Sequence, residues 1–350
     1  MTNLLNCLSI ILVIISLVPL IRNDYWIFRI FEYPRLQKLT LNAILIAVIV
    51  LFYFPKELKD QLIFGVLALN LLYLIYQVFP FTAFAPKQII KSRHLSGSDN
   101  ITILIANVFQ DNRRSKDYLE LINECNPDVI LLVETNNWWQ QEMDAIGSDY
   151  PHQLKVPLEN TYGMLFYSRL QLNNGEVKYL VEDDIPSIEV DVRLKSGKEV
   201  KLFCLHPQPP VPQENPRSTE RDKEILLVAA KAKTSRLPVI VMGDLNDVAW
   251  SYTTQLFGKI SGLLDPRRGR GFFNSFNAKH PFLRFPLDHL FCSRDFSLTS
   301  IRRMNSCGSD HFPMCINLQH DAKAKSQNEK PVADAADKEM AEEKINAVTA

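Results

Sequence analysis

The stretch 238-PVIVMGDLNDVAWS-251 decides the fold class of this 350-residue chain. Residues 238–242 form a short, continuous apolar run, which is typical of a strand that is buried on both faces. Asp244 and Asn246 follow this run directly, at the point where the predicted strand ends. Because polar side chains just beyond the strand ends of an α/β sheet converge on one crevice, the stretch predicts an α/β domain with a site at its strand ends.

Further apolar runs rich in β-branched residues lie on both sides of this stretch. Helical patterns separate them: residues 115–124 carry an apolar stripe, and residues 218–234 begin with Ser218 or Thr219 as an N-cap. Strands that alternate with helices predict an α/β domain of one or two sheets. The predicted strands cover residues 101–106, 128–133, 164–168, 188–194, 200–205, 238–242 and 287–292.

The first 86 residues differ from the rest because three uncharged apolar runs dominate them. A helix needs about 20 apolar residues to cross a bilayer, and the first and third runs are long enough on their own. We predict transmembrane helices at about residues 4–21, 38–54 and 61–84, which together form a membrane anchor over residues 1–86. A cleavable signal peptide is the alternative for the first run, but that run lacks a basic start and a small-residue cleavage site.

The basic residues around these runs predict the orientation of the anchor. One side carries Arg22, Arg29, Arg35 and Lys38, followed by Lys87, Lys91 and Arg93. The opposite side carries Lys56 and Lys59. The positive-inside rule therefore predicts a cytoplasmic location for everything after residue 86. The six cysteines form no CxxC pair and no zinc-ligand spacing, so we expect neither a disulfide nor a cysteine nucleophile, in agreement with a reducing compartment.

The remaining chain divides by composition into a linker, a folded domain and a tail. Residues 87–99 show no apolar period and predict a linker. Residues 320–350 contain almost no large apolar side chain, which predicts a disordered polar tail with at most a short helix within 335–347. Residues 100–319 are left as the folded domain. The formal net charge is zero, so no global basic field indicates nucleic-acid binding, although a local patch would be hidden in the total.

Polar residues follow four of the predicted strands, namely Asn107, Glu134, His206 and Asp244 with Asn246. Taken singly, each has an ordinary explanation as a turn or capping residue. Taken together, they predict one shared crevice.

Two Asp-His pairs, Asp288-His289 and Asp310-His311, add the chemistry that such a crevice needs. A carboxylate fixes the tautomer of an imidazole and raises its basicity, and carboxylates also suit Mg²⁺ or Mn²⁺. An isolated Asp-His pair is usually solvated surface. We expect His289 to be structural and its neighbour Asp288 to be functional.

The ordered motifs of residues 100–318 resemble the endonuclease/exonuclease/phosphatase superfamily. They are Asn107, DVILLVE ending at Glu134, GMLFYSR at 163–169, LHPQPP at 205–210, GDLNDVAWS at 243–251, PLDHLF at 286–291 and SDHFP at 309–313. GDLNDVAWS, GRGFFNSFNAKHP at 269–281 and the apolar runs further resemble membrane-bound bacterial members. The resemblance implies a four-layer sandwich of two mixed β-sheets flanked by helices, held in the bacterial inner membrane.

The resemblance also implies a role for each residue. Glu134 would be the principal ligand of Mg²⁺ or Mn²⁺, supported by Asp310 and Asn107. His311, oriented by Asp288, would be the general base or a hydrogen-bond donor to the phosphate, and the choice between His311 and Asp244 as the base stays open. The residues in contact with the substrate or the attacking water would be Asn107, His206, Asp244 and Asn246. Arg270 is added as a substrate-binding candidate from the basic loop of the sequence rather than from the resemblance.

Direct attack of water on a phosphoester is the reaction that this set of residues supports. The sequence contains no G-x-S-x-G elbow, no Cys-His signature and no P-loop, so it offers no covalent alternative. The loop of Arg267, Arg268 and Arg270, with nearby phenylalanines, would suit a nucleic-acid backbone, an anionic lipid headgroup or plain solvent. Nuclease and lipid phosphodiesterase therefore both stay open.

Two other classes of protein compete with the enzyme hypothesis. A membrane-tethered scaffold that has lost its activity would be free to lose Glu134 or His311, and both are present. A transporter or receptor built on the apolar runs lacks support, because the cores of these runs contain no charged residue that would mark a substrate pathway. The expected partners are a phosphoester substrate and the lipid bilayer, and no protein partner is implied.

Overall fold

The computed structural model describes residues 2–92 and 97–349 of the chain. Its first part consists of three long helices and one short helix, with 3₁₀ turns extending two of the long helices to Ile21 and Phe81. These helices are α1 (Thr2–Leu17), α2 (Trp26–Arg29), α3 (Arg35–Phe52) and α4 (Leu58–Val78). The three long helices are long and apolar enough to cross a membrane, as the apolar runs predict.

Within the described residues, eleven strands form two sheets that follow the helices. The six-stranded sheet has the order β10-β11-β1-β2-β4-β3, and the five-stranded sheet has the order β5-β6-β7-β8-β9. The strands are β1 (Asn100–Asn107), β2 (Val129–Val133), β3 (His152–Val156), β4 (Met164–Ser168), β5 (Gln171–Lys178), β6 (Ser187–Arg193), β7 (Glu199–Leu205), β8 (Val239–Asp244), β9 (Asp288–Cys292), β10 (Phe296–Arg303) and β11 (Met314–His320).

Both sheets are mixed, because each contains one parallel pair among antiparallel neighbours. β1 runs parallel to β2, and β7 runs parallel to β8. β9 is antiparallel to β8, in a register that places Asp288 opposite Asp244. The carboxyl ends of β1, β2, β7 and β8 and the start of β9 therefore lie at the edge where the polar residues of the motifs follow the strands.

The domain has four layers, as the resemblance implies. Apolar side chains from both sheets fill the space between them, among them Ile103, Leu131, Val190 and Met242, none of which is exposed. The outer face of the six-stranded sheet is covered by α5 (Ser115–Cys125) and α6 (Asn137–Met143). The outer face of the five-stranded sheet is covered by α7 (Thr219–Thr234) and α8 (Tyr252–Ser261). Because helices cover both sheets, central strands such as β2 are buried on both faces.

The segment expected to be a linker belongs in part to the packed domain. Ile89 is buried in the core between the sheets. The main chain that follows it, at Ile90 and Ser92, hydrogen-bonds to Leu298 in β10. Residues 93–96 of the expected linker lie outside the described residues.

The expected disordered tail is instead ordered, which corrects the expectation from composition. α9 (Ala324–Gln327) is followed by α10 (Ala335–Ile345), which starts in a capping box at Asp334. α10 packs on α7 and α8: Ala341 is buried, and Lys344 lies 2.7 Å from the Asp222 carboxylate of α7. The composition does not indicate this helix, because ion pairs and a few small apolar side chains hold it in place rather than a large apolar face.

The structure also contains a disulfide, so the expectation of none is wrong. Cys125, at the end of α5, is bonded to Cys315 in β11, at a sequence separation of 190 residues. The pairing joins distant parts of the chain, and for that reason no local spacing motif could indicate it. The four free cysteines are Cys7, Cys204, Cys292 and Cys307.

Candidate active site

A pair of carboxylates, one from each sheet, is joined by a single amide at the strand ends. Asn107 is the last residue of β1 and is almost fully buried. Its Nδ2 donates to Oε1 of Glu134 at 2.6 Å and to Oδ2 of Asp244 at 3.0 Å. The side chain of Asn107 thus fixes the two carboxylates close to each other at the interface between the sheets.

Two residues of this cluster have left-handed backbone conformations. φ is 57° at Glu134 and 49° at Asn246. This region is uncommon for residues other than glycine and is unfavourable for glutamate in particular. The turn after Glu134 is held by close packing, because a Cβ at Gly163 would lie 1.7 Å from the carbonyl oxygen of Thr135. Such conformations are found where the surrounding structure fixes a functional side chain in place.

A histidine lies between two aspartates that face each other across β8 and β9. His311 Nδ1 lies 2.7 Å from Oδ2 of Asp288, and its Nε2 lies 3.5 Å from Oδ2 of Asp244. The ring packs against Phe276, with a centroid distance of 5.0 Å. Ser275 Oγ accepts from the backbone N–H of Asp288 at 3.0 Å and so fixes the end of the strand that carries this carboxylate.

The charges of the cluster set its protonation states. Burial alone would lower the pKa of His311, but Asp288 and Asp244 outweigh it and raise that pKa to about 10. Burial likewise opposes ionisation of Asp244, yet the charge of His311 and the hydrogen bonds from Asn246 and Asn107 lower the pKa of that carboxyl. His311 is therefore an imidazolium at neutral pH, and Asp244 is a carboxylate. Glu134 differs from Asp244, because burial raises its pKa to about 7 despite the hydrogen bond from Asn107.

His206, which directly follows β7, contributes a neutral imidazole. Burial is the main reason that its pKa falls to about 4. Its Nδ1 is buried without a hydrogen-bond partner among the described residues, and its ring lies 5.5 Å from that of Tyr162. The end of β8 lies close to the end of β7 because Gly243 of β8 has no side chain. A Cβ at Gly243 would lie 1.9 Å from the carbonyl oxygen of Leu205.

The donor atoms of the cluster fit a divalent cation that prefers oxygen ligands. Potential ligand atoms of Asp244, Asp288 and His311 lie within 4.8 Å of one another. Oδ1 of Asp288 is buried and, within the part of the chain that the structure describes, has no hydrogen-bond partner. Glu134 offers a second carboxylate beside Asp244, and the charge of Asp310 acts on Glu134. A set dominated by carboxylates matches Mg²⁺ or Mn²⁺ and leaves room for water and phosphate oxygens.

The structure brings together most of the residues that the sequence singles out. One cluster contains Asn107, Glu134, His206, Asp244, Asn246, Asp288 and His311, with Asp310 directly beside it. His289 lies apart from this cluster. Its Nε2 is 2.8 Å from the carbonyl oxygen of Asp247 and its Nδ1 is 2.7 Å from Arg267. Both of its nitrogens are engaged within the protein, as a structural residue requires.

Arg270 does not occupy the position that was expected of it. Its guanidinium donates to the carbonyl oxygens of Pro266 and Ile89. The neighbouring Arg267 is buried against Asp265, and Arg268 lies over the ring of Phe81. The expectation that Arg270 binds the substrate is therefore corrected, because all three arginines of this loop hold the fold together.

Two residues that support Asn246 are not evident from the sequence. The hydroxyl of Tyr33, between α2 and α3, donates to the carbonyl oxygen of Asn246 at 2.9 Å. Arg221 of α7 donates to the same oxygen at 2.7 Å. Arg221 also bonds Asp222 and lies 3.5 Å from Asp247, in a fully buried ion network. No sequence signal indicates these contacts, because they are made to a main-chain atom.

The chain matches a model of the Endonuclease/Exonuclease/phosphatase family over residues 104–311. This range contains every residue of the cluster, from Asn107 near its start to His311 at its end. A search of curated proteins found no match.

Solved structures of several organisms share the fold. D. rerio TDP2 complexed with single strand DNA product matches with a TM-score of 0.53 at 18% identity, covering 63% of this chain and 99% of that chain. An endonuclease/exonuclease/phosphatase family protein from Bacteroides thetaiotaomicron matches with a TM-score of 0.50 at 20% identity, covering 63% and 98%. The human Nocturnin catalytic domain with bound sulfate matches with a TM-score of 0.51 at 14% identity, covering 63% and 94%. At these identities the likeness concerns the fold alone.

Proposed function

Because the chain belongs to the endonuclease/exonuclease/phosphatase family, we propose that it is a divalent-metal-dependent hydrolase of phosphoester bonds that its N-terminal helices anchor in a membrane. Members of this family hydrolyse phosphoester bonds and commonly use divalent metals. The observation that carries the proposal is the Asn107-bridged pair of Glu134 and Asp244 beside the Asp288–His311 pair. The TDP2 structure with DNA supports a nucleic-acid substrate, whereas the apolar helices support a lipid one.

Glu134, Asp310 and Asn107 are the residues that would hold Mg²⁺ or Mn²⁺. The bound ion would neutralise phosphoryl oxygens and polarise the phosphorus centre. Glu134 suits this role because desolvation raises the pKa of its carboxyl and, among the described residues, the carboxylate forms no ion pair with a lysine or an arginine. The side-chain amide of Asn107 orients this carboxylate.

Asp244 and His311 divide the proton chemistry between them. The lowered pKa of Asp244 keeps it ionised, so it can accept the proton of the attacking water. His311, with a pKa raised to about 10, is poised to donate a hydrogen bond to a phosphoryl oxygen, and Asp288 holds its ring. His206 and the side-chain amide of Asn246 add neutral donors. This assignment favours Asp244 over His311 as the base.

The test uses the full chain, purified in detergent, beside Glu134→Gln and His311→Gln. Release of nitrophenol from bis-p-nitrophenyl phosphate is followed with Mg²⁺, with Mn²⁺ and with EDTA. His152→Gln, on the edge strand β3, is the matched control for a histidine change. We expect metal-dependent hydrolysis that falls at least 100-fold in both site variants and persists in the control. Metal binding without turnover of this diester, plasmid DNA, oligonucleotides or lipid vesicles would instead indicate an inactive scaffold.

The disulfide supports a location of the domain on the oxidising side of the membrane. Disulfides persist outside the cytoplasm and are rare within it. Two of the basic residues that predict a cytoplasmic domain are used for packing: Arg29 is buried beside Glu32 and Asp222, and Lys38 donates to the carbonyl oxygen of Phe31. We therefore propose an extracytoplasmic domain in place of the cytoplasmic one. In bacteria, a C-terminal alkaline phosphatase fusion should be active and a fluorescent-protein fusion dark, and the reverse pattern would restore the cytoplasmic location.

A further inference from the structure

A hairpin connects the candidate active site to the membrane helices. Its base is the pair Phe276 and Phe285, whose backbones bond each other, and Phe276 also pairs with His311. The N–H of Ala278 donates to the carbonyl oxygen of Asp310 at 2.6 Å. On the other side, the ring of Tyr33 packs on Phe285 with a centroid distance of 5.5 Å. The hairpin, residues 276–285, is thus fixed at one end by the site and by the segment that precedes α3.

The tip of this hairpin is apolar and exposed beside α3. Phe282 is 85% exposed and Leu283 is 53% exposed. Gln37, in the first turn of α3, donates from Nε2 to the carbonyl oxygen of Phe282 at 2.8 Å. Because α3 is one of the helices long and apolar enough to cross a membrane, the tip lies beside the end at which that helix would enter an apolar layer. Other exposed apolar side chains of the domain, such as Tyr179, are not part of such a pair.

Cationic groups on the hairpin lie between this tip and the carboxylate cluster. The ammonium of Lys279 is 4.5 Å from the ring centroid of Phe109, whose N–H donates to Asn107. The guanidinium of Arg284 is 5.0 Å from the ring centroid of Phe312, which follows His311. Apolar side chains with basic residues directly behind them match the order of acyl chains and phosphates in a lipid leaflet. With the tip in the bilayer, the site would lie at the level of the lipid phosphates.

We propose that residues 281–283 insert into the bilayer and that the active site takes its phosphoester from a membrane lipid. This inference rests on the proposed function and adds the class of substrate. In the reaction, a water oxygen forms the new bond to phosphorus and the P–O bond to the leaving alkoxide breaks. The water's proton passes to Asp244, which later releases it to solvent, the leaving alkoxide takes a proton from solvent, and one water is consumed per ester.

The test compares a lipid with a soluble diester on the same full-length protein. The chain is reconstituted into vesicles of phosphatidylcholine and phosphatidylglycerol, and products of phosphatidylglycerol are measured by mass spectrometry, in parallel with hydrolysis of bis-p-nitrophenyl phosphate. One variant combines Phe282→Glu and Leu283→Glu. Tyr179→Glu, at another exposed aromatic residue, is the matched control. Phe282→Trp reports insertion through quenching by brominated lipid.

We expect the glutamate pair to lower hydrolysis of the lipid at least tenfold while hydrolysis of the soluble diester stays within about twofold. The Tyr179→Glu control should hydrolyse both the lipid and the soluble diester at the wild-type rate. Brominated lipid should quench the additional tryptophan fluorescence of the Phe282→Trp variant. If the wild-type protein hydrolyses the soluble diester and single-stranded DNA but no vesicle lipid, or if the introduced tryptophan is not quenched, the inference is overturned and the proposed function stands. If neither substrate is hydrolysed, the proposed function itself fails, and the quenching result alone then decides whether the tip inserts.

Discussion

Glu134 is the residue in which the demands of function oppose those of stability most directly. Burial raises its pKa to about 7, from an ordinary 4.5. In the unfolded chain, the Glu134 carboxyl is ionised above about pH 4.5. In the metal-free folded chain, the same carboxyl keeps its proton up to about pH 7. The folded state therefore loses stability between these two pH values, by up to about 3 kcal/mol, and the loss persists at higher pH. Binding of a cation to the ionised Glu134 would offset this loss of folding stability.

Glu134→Gln should accordingly stabilise the metal-free protein at pH 8 and have little effect at pH 4. The glutamine keeps the shape and removes the buried charge, so the melting temperature at pH 8 should rise by several degrees. The same change should abolish the rise in melting temperature that Mg²⁺ causes in the wild type, because the ligand is lost. Glu339→Gln, at an exposed position of α10, is the control. A variant destabilised at pH 8 would mean that Glu134 is held ionised by a partner other than the metal.

His311 allows the choice of base to be tested by pH alone. With a pKa raised to about 10, it is protonated throughout the neutral range. If it donates to the phosphate, kcat at saturating Mn²⁺ should be level between pH 8 and 9 and fall as the pH approaches 10.5. If it accepts the proton of water, kcat should rise about tenfold per pH unit over the same range. A rising profile that His311→Gln flattens would assign the base to His311 and remove that role from Asp244.

The individual site residues were predictable where they follow a buried strand. Asp244 and Glu134 stand directly after continuous apolar runs, so the strand pattern locates them without any knowledge of the fold. Arg270 could not be assigned correctly, because a basic residue in a loop has the same sequence signature whether it binds a ligand or main-chain carbonyls. Tyr33 was missed since it acts on the backbone of a residue 213 positions away.

Within the sandwich, the strands and helices with clear apolar patterns were predicted to within about two residues, whereas α3 and α4 each begin three residues before the predicted spans. The prediction of a strand at 200–205 corresponds to β7, for example, which is buried between its neighbours. Four strands were not predicted. β3, β5 and β10 lie at sheet edges, where β5 has the polar sequence QLNNGEVK with exposed residues, and the internal strand β11 mixes apolar and polar residues in the sequence MCINLQH. An edge strand is specified by its neighbour's hydrogen bonds rather than by its own side chains, so its sequence carries little signal.

The disulfide joins α5, on the outer face of the six-stranded sheet, to β11 within that sheet. It closes a loop of 190 residues, for which the reduction of unfolded-state entropy is large, on the order of 2–4 kcal/mol in practice. A double variant with Cys125→Ala and Cys315→Ala should therefore have a melting temperature several degrees below that of the wild-type chain. Reductant should lower the melting temperature of the wild type by a similar amount and leave that of the double variant unchanged.

The matched control for that experiment is Cys204→Ala, which alters a buried free thiol of the other sheet. Its melting temperature should respond to reductant as the wild type does. The disulfide would be absent from the native protein if thiol titration of the untreated wild type found all six cysteines reactive after unfolding.

The segment between α1 and α3 acts as a support for the active site, and Tyr33 is its contact with Asn246. Tyr33→Phe keeps the ring on Phe285 and removes one hydrogen bond to the carbonyl of Asn246. We expect kcat to fall about fivefold, the effect of roughly 1 kcal/mol, while KM and the melting temperature change little. Tyr179→Phe is the control. An unchanged kcat would show that Arg221 alone holds this carbonyl.

At the scale of the whole molecule, the helical anchor and the sandwich share a buried ion network. Arg29 from the anchor lies 3.8 Å from Asp222 of α7, and Lys344 from α10 lies 2.7 Å from the same carboxylate. Burial opposes ionisation of Asp222, but Lys344, Arg221 and Arg29 together lower its pKa. Removing one partner from such a network leaves a buried charge without compensation, which is strongly destabilising. The N-terminal helices are thus a structural part of the fold, and they would be more than a tether for the proposed enzyme.

This coupling predicts that the sandwich without its anchor is impaired even toward a soluble substrate. A fragment of residues 87–349 keeps Ile89 in the core but loses Arg29 and the hydroxyl of Tyr33, and it exposes the face of α7 and α8 on which the anchor packs. We expect its melting temperature to lie well below that of the full chain in detergent, and its kcat toward bis-p-nitrophenyl phosphate to be at least tenfold lower. The two proteins are compared at 15 °C, after circular dichroism has shown that both are folded. At that temperature a lower kcat reports the lost hydrogen bond to Asn246 rather than unfolding of the fragment. A fragment as active as the full chain at that temperature would reduce the anchor to a tether, and the orientation of the hairpin at residues 276–285 would then depend on the sandwich alone.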